Sequence, residues 1–253
     1  MKRIFNPEEP ELMDRPQPVS SELEADLLNL VSLNRNFGGH RLVRSFLPQW
    51  LESGRCYRVL DLATGAGDIP RLMVDWARPR EITLRIDAVD ANPSTIEIAR
   101  KHSEGYDEIE FLVGNALRFG GSADYDLVCC SLAVHHFSEE DAVRLLCRCR
   151  DLSTRFVLVA DLERSPATSI AIYALTALAY TEPMTQADAR ASAQRAFSFG
   201  EFRALAESAR WRNFGHARFL FCRQALWLDG RDLAAVTPEV EIAVAQGLPC
   251  PAA

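Results

Sequence analysis

The sequence lacks an apolar run long enough to cross a membrane. Its closest candidate, residues 170–180, falls well short of the ~18 residues that a transmembrane helix needs. Residues 1–18 are polar and rich in proline, so no secretory signal is expected there. No stable membrane insertion is therefore expected.

Basic charge is also scarce. Lys and Arg total 28 against 35 Asp and Glu, which gives a formal net charge of −7. A protein that binds nucleic acid normally presents a basic face, so no nucleic-acid partner is expected. The composition, 48% hydrophobic and 25% charged, instead predicts a folded enzyme-sized chain with a buried core.

The seven cysteines form no C-x-x-C pair. Their spacing does not suit zinc, and no metal site is expected. Unpaired, apolar cysteines are typical of proteins kept in a reducing compartment, which predicts a cytoplasmic location.

The most informative segment is residues 59–67, which read Val-Leu-Asp-Leu-Ala-Thr-Gly-Ala-Gly. An apolar strand ends in Asp61, and Gly65 and Gly67 follow in a turn before a helical pattern. The glycines let the backbone approach a ligand where a Cβ would clash. A second acid, Asp90, ends the next apolar strand. The number of residues between the glycines and Asp90 is close to that expected for a carboxylate that binds ribose hydroxyls.

The same residues discriminate between cofactors. A nicotinamide site uses G-x-G-x-x-G, but Pro70 stands at the third glycine position. A carboxylate at Asp61 would repel a pyrophosphate. It suits S-adenosylmethionine, which carries an ammonium group and a sulfonium and has no phosphate.

Residues 59–68 resemble the first motif of class I S-adenosylmethionine-dependent methyltransferases, and most of all the ubiquinone and menaquinone C-methyltransferases. Residues 88–93, 111–116 and 125–137 resemble later motifs in the same order, so the likeness covers about residues 55–160. Asn115 stands where the family usually has Asp. The resemblance implies S-adenosyl-L-methionine as the cofactor, bound by Asp61, Ala63, Gly65, Gly67, Asp90, Ala91, Asn115, Ala116 and Ser131.

Strand and helix patterns alternate along the centre of the chain. Strands are predicted at 57–61, 84–89, 109–113, 125–130 and 155–160, with helices at 69–78, 93–102 and 139–150. This alternation predicts an α/β fold with a doubly wound, mostly parallel sheet. The resemblance implies seven strands in a Rossmann-like methyltransferase fold that ends in an antiparallel hairpin, here 215–221 and 223–228.

Three regions are predicted from these patterns. Residues 1–52 form an N-terminal arm and a helical cover, the first helix being capped at Ser21. Residues 53–230 form the cofactor-binding domain, with a substrate-side insertion at 165–198. Residues 231–253 form a C-terminal tail with a short helix at 238–245.

The catalytic candidates are His135 and His136, because they follow the fourth strand and histidine can accept a proton near neutral pH. Packing of the loop is the alternative role for the pair. Phe37, His40 and Tyr173 are expected to contact the acceptor. The apolar helix around Tyr173 suggests a small lipophilic substrate, a phenol, quinone precursor or polyketide methylated on oxygen or carbon.

Two other interpretations stay open. The chain could be an NAD(P)-dependent oxidoreductase on a similar sheet, or a non-catalytic scaffold that keeps the methyltransferase fold. The apolar helix could also be a core element or the contact of a homodimer.

Overall fold

A seven-stranded sheet forms the centre of the molecule in the computed structural model, which describes residues 2–120, 124–180 and 182–230. Its strands are β1 (Cys56–Leu62), β2 (Thr83–Asp90), β3 (Ile109–Val113), β4 (Tyr125–Ser131), β5 (Ser153–Leu162), β6 (Gly215–Phe219) and β7 (Arg223–Leu228). The strand order is β3-β2-β1-β4-β5-β7-β6. The first five strands are parallel, and β7 is antiparallel to both of its neighbours. The predicted α/β class and the C-terminal hairpin are thereby confirmed.

Helices pack on both faces of this sheet. They are α1 (Ser21–Asn36), α2 (Gly39–Trp50), α3 (Asp68–Ala77), α4 (Pro93–Lys101), α5 (Glu139–Leu152), α6 (Pro166–Ala179), α7 (Pro183–Arg195) and α8 (Phe199–Ser208). Among the described residues, no helix combines the length and the apolar character needed to cross a bilayer.

The core follows the two-residue period of the strands. Leu60 and Val128 point to the face that α5 and α8 cover, whereas Val59 and Leu127 point to the face that α2 and α3 cover. All four side chains are fully buried. Because both faces of the sheet are covered, its central strands are apolar throughout, as buried parallel strands usually are.

Two details differ from the sequence-based expectations. The N-cap of α1 is Ser20, whose side chain accepts a hydrogen bond from the amide of Leu23, so the predicted cap at Ser21 was wrong by one residue. Helix α7 was not predicted at all. The helix expected at 238–245 lies outside the described residues.

The N-terminal arm, which contains one short 3-10 helix (Leu12–Asp14), crosses the carboxyl edge of the sheet. Arg3 donates hydrogen bonds to the carbonyls of His135 and Phe137, 3.1 and 2.7 Å long. Further along the arm, the carboxylate of Asp188 on α7 accepts from the amides of Leu12 and Met13, at 2.7 and 2.9 Å. These contacts place acidic arm residues above the ends of β4 and β5.

Candidate functional site

The loop after β1 is held in a conformation that depends on glycine. Gly65 and Gly67 have φ values of +54° and +73°, and Ala63 adopts +56°. A Cβ on Gly67 would lie 2.7 Å from the ring of Phe111, which leaves no room for a side chain. A Cβ on Gly65 would meet no protein atom within 4 Å, so the backbone there is open to a ligand.

Asp61 ends the predicted strand as a buried carboxylate. Its Oδ2 accepts a hydrogen bond from the hydroxyl of Thr64, 2.6 Å away. Burial, together with the nearby carboxylates of Asp68 and Asp90, raises the pKa of Asp61 to about 7. In the free protein, ionisation of Asp61 costs free energy because its carboxylate is buried. A ligand cation placed beside Asp61 would therefore stabilise the ionised form.

Asp90 joins the end of β2 to the glycine loop. One carboxylate oxygen accepts from the amide of Gly65 at 2.9 Å, and the other accepts from the amide of Asn92 at 3.0 Å. Burial raises the pKa of Asp90, against the lowering effect of these two bonds. The carboxylate is thus fixed in place before any ligand binds, with lone pairs left for hydroxyl donors.

A cavity of about 670 Å³ opens over this edge of the sheet. Its wall includes most of the sequence-predicted residues, namely Phe37, Asp61, Ala63, Gly65, Asp90, Ala91, Asn115, Ala116, Ser131, His135 and His136. The ends of β1 to β4, the end of α1 and a short 3-10 helix (Val134–His136) therefore surround a single space. Ligands of open parallel sheets are expected at this edge.

Three predicted residues do not line this cavity. Gly67 lies outside the wall, where its lack of a side chain makes room for the ring of Phe111. His40 lies behind the wall, with its Nε2 2.7 Å from Oδ2 of Asp68. Tyr173 points outward on α6, is 40% exposed and accepts a hydrogen bond from Gln194. The cavity side of α6 is instead formed by Ala171, Ile172, Leu175 and Thr176.

The two predicted histidines lie side by side, with their ring centres 4.2 Å apart. Nδ1 of His135 is 2.7 Å from the carboxylate of Asp161, and Nδ1 of His136 is 2.6 Å from that of Asp14. Both Nε2 atoms lie 4.0 Å from oxygens of Glu11, which is buried. Each imidazole therefore contacts one carboxylate of its own, and both lie near a third carboxylate, that of Glu11.

The carboxylates set the charge of this pair. Burial alone would lower the pKa of His136, but Glu11, Asp14 and Asp161 outweigh it and raise that pKa to about 9. Burial opposes ionisation of Asp161, yet its contacts with His135 lower its pKa overall. In the free protein at neutral pH, His136 is thus a cation and Asp161 an anion.

Sequence reasoning missed the acidic partners of the histidines. Asp161 has a signal, because it ends an apolar strand on the same edge as Asp61 and Asp90. Glu11 and Asp14 have none, since they belong to an arm without periodicity. Arg223, at the start of β7, was also missed; it is 5% exposed and lines the cavity.

Comparison with known proteins agrees with this geometry. A family model for a methyltransferase domain matches residues 59–154. Over these residues the chain is similar to methyltransferase domains. A curated relative, the 2-phytyl-1,4-naphtoquinone methyltransferase of Thermosynechococcus vestitus, is 33% identical over 93 residues. That match spans 37% of this chain and only 40% of the relative's length.

Solved structures extend the likeness of the methyltransferase domain to most of the fold. A SAM-dependent methyltransferase from Aquifex aeolicus has a TM-score of 0.56 at 14% identity, covering 81% of this chain and 96% of that one. Human N-acetylserotonin methyltransferase, solved with SAM, has a TM-score of 0.61 at 14% identity, covering 81% and 55%. At such identities the likeness establishes the fold alone.

Proposed function

We propose that this protein transfers the methyl group of S-adenosyl-L-methionine to a small lipophilic acceptor. The observation that carries the proposal is the pairing of Asp61 and Asp90 with the glycine loop on one wall of the cavity. Asp90 would bind the ribose hydroxyls, and Asp61 would face the ammonium of the methionine part. Asn115 and Ala116 would meet the adenine edge.

The opposite part of the cavity supports an apolar acceptor. Leu27, Leu30 and Val31 of α1 line it together with Ile172 and Leu175 of α6. Apolar walls with few polar groups are typical of sites for lipophilic small molecules. The name of the cyanobacterial relative specifies a phytyl-substituted naphthoquinone, which belongs to the same chemical class.

Arg223 supports an oxygen function on the acceptor. Its Nε donates to the carbonyl of Phe37 at 3.2 Å, while its NH1 finds no hydrogen-bond partner among the described residues. A buried guanidinium without a full set of partners is stabilised by an oxygen anion or a carbonyl oxygen. A phenol, a quinol or an enolised polyketide would provide one.

The reaction itself needs little from the chain. A lone pair on the acceptor oxygen or carbon attacks the methyl carbon, the methyl–sulfur bond breaks, and adenosylhomocysteine leaves as a neutral thioether. The acceptor then has a proton to lose. Because Nδ1 of His135 contacts Asp161 and the residue lines the cavity, His135 is better suited than the cationic His136 to take this proton.

The experiment has two parts. Calorimetry with adenosylhomocysteine, NAD and NADP tests the cofactor, and tight nicotinamide binding without adenosylhomocysteine binding would favour an oxidoreductase. Incubation with isotope-labelled cofactor and a panel of phenols, quinols and polyketides, read by mass spectrometry, should give a product heavier by one methylene. Cofactor binding without transfer to any acceptor would favour a scaffold.

Two further expectations remain predictions. A homodimer would be visible by light scattering, and α6 offers the exposed side chains Ile170 and Leu178 for such a contact. A cytoplasmic location is to be tested by cell fractionation.

A further inference from the structure

We infer that Glu11, His135 and His136 form a binding site for a divalent transition-metal ion of the zinc class. Among the described residues, these three bring ligand atoms to within 4.8 Å of one another. Glu11 and His135 are buried, His136 is partly so, and all three line the cavity. The inference stands on this geometry and does not depend on the methyl-transfer reaction.

The hydrogen bonds of the imidazoles fix the nitrogen that each presents. A carboxylate only accepts, so the nitrogen bonded to it carries the proton: Nδ1 of His135 toward Asp161, and Nδ1 of His136 toward Asp14. In the neutral form, each Nε2 then offers its lone pair toward Glu11. Metal-binding histidines are usually held in this way, with the second ring nitrogen donating to a carboxylate.

The charge of the cluster also suits a divalent cation. Three carboxylates contact the imidazoles, those of Glu11, Asp14 and Asp161, and Arg195 lies 3.6 Å from Glu11. A divalent ion bound between the three ligand atoms would displace the proton that His136 carries in the free protein and would compensate the carboxylates in its place.

Distances allow this arrangement with little movement. The oxygens of Glu11 lie 4.0 Å from each Nε2. Zinc binds nitrogen and oxygen at roughly 2.0–2.2 Å, which sets the ligand atoms of a tetrahedral site about 3.4 Å apart. Small side-chain shifts would close that difference. Two histidines and one carboxylate form the protein part of many zinc sites that keep a position open.

The open position would face the cavity. If the proposed methyl transfer is correct, a phenolate, enolate or quinol oxygen of the acceptor is the ligand that this position would take. The metal would lower the pKa of that hydroxyl and would replace the base role proposed above for His135, whose Nε2 would then be a ligand. The sequence shows no metal motif because Glu11 reaches the histidines only through the folded arm.

Cobalt(II) is the probe for the test, because it gives visible absorption bands at zinc-type sites. The full chain, freed of metal with a chelator, is titrated with Co²⁺ and then with Zn²⁺ in the absence of cofactor. One Co²⁺ per chain should bind with intense visible bands, and Zn²⁺ should displace it. Adding catechol should then shift the bands, and unshifted bands would overturn the role of the acceptor oxygen as a ligand.

Variants locate the ion. His135→Ala and His136→Ala should weaken Co²⁺ binding by more than about 100-fold, and Asp14→Asn by roughly 10- to 100-fold, as expected for a ligand and its supporting carboxylate. The matched control is His102→Ala, which removes a histidine that is bonded to Glu24 and belongs to no ligand cluster in the part of the chain that the structure describes. That variant should bind as tightly as the wild type.

Three results would overturn the inference: no Co²⁺ bands up to about millimolar ion, unchanged binding in both histidine variants, or loss of binding in His102→Ala. Should the histidine variants unfold, Asp14→Asn still decides, because Asp14 is 38% exposed and lies at the edge of the cluster. Adenosylhomocysteine calorimetry on the same samples separates this failure from failure of the proposed function.

Discussion

The buried carboxylate of Asp61 makes cofactor affinity depend on pH. In the free protein, burial and the neighbouring Asp68 and Asp90 raise the pKa of Asp61 from 3.8 to about 7. A bound methionine ammonium would keep Asp61 ionised, so binding requires the ionised form. Affinity should therefore be highest at alkaline pH and should fall as the pH drops through about 7.

The size of the effect follows from the fraction of Asp61 that is ionised. With a pKa of about 7, this carboxyl is roughly 90% ionised at about pH 8 and about 3% ionised at about pH 5.5. Since apparent affinity scales with the competent fraction, the dissociation constant should rise by about 30-fold across that range, or ~2 kcal/mol. Calorimetry with adenosylhomocysteine is the assay, because its ammonium stays charged throughout.

Asp61→Asn is the control. It should bind the cofactor product more weakly at about pH 8, with a flatter pH profile, because the titrating group is gone. Although this variant should bind more weakly, its free energy of unfolding should be higher than that of the wild type. A carboxyl with a raised pKa stabilises the fold below its unfolded pKa, and this contribution is lost as the pH rises through about 7. The free energy of unfolding of the variant should therefore exceed that of the wild type by on the order of 1–4 kcal/mol at alkaline pH. A flat wild-type profile, or equal slopes in both proteins, would refute the argument.

Other changes test the same edge of the sheet. Asp90→Ala should weaken adenosylhomocysteine binding by ~1–3 kcal/mol in calorimetry, because charge-assisted bonds to the ribose are lost; unchanged affinity would place the ribose elsewhere. Gly67→Ala should lower the free energy of unfolding by ~1–3 kcal/mol in urea titrations, since its φ is +73° and its Cβ would strike Phe111. In native alkylation read by mass spectrometry, the exposed Cys56 should react before the four cysteines buried in β4 and α5, which react only on unfolding. Early labelling of the β4 pair would contradict the packing of the sheet.

The part of the site that the sequence predicted is the part built from local patterns. Asp61, Gly65 and Asp90 each follow an apolar strand, and parallel strands bring their carboxyl ends to one edge. Nothing more than strand period and turn chemistry is needed to bring these residues together. For the same reason, the bounds of β1 to β5 agree with expectation to within a few residues.

Helix α7 shows where this reasoning stops. Its buried face carries Thr185, Asp188 and Ser192, and its buried apolar side chains are only alanines, so the sequence shows no clear helical apolar period. Those polar groups are satisfied by partners far away in the sequence: Thr185 by Asp26, and Ser192 by Glu11. A helix buried through long-range polar contacts can be recognised only once its partners are in place.

The N-terminal arm links the cofactor wall to the histidine cluster, and this has a consequence for binding. The carbonyl of Met13 accepts a hydrogen bond from the side chain of Asn92, two residues after Asp90, while Glu11 and Asp14 lie against the histidines. A ligand that fills the cavity would therefore contact the arm both beside Asp90 and beside the histidines. Adenosylhomocysteine should slow cleavage of the arm by endoproteinase Glu-C after Glu11 by several-fold, measured by mass spectrometry of the released peptide. Cleavage after Glu104, an exposed residue outside the cavity wall, serves as the internal reference. Equal protection at both positions would mean global stabilisation, and no protection at Glu11 would mean that the arm does not contact the bound ligand.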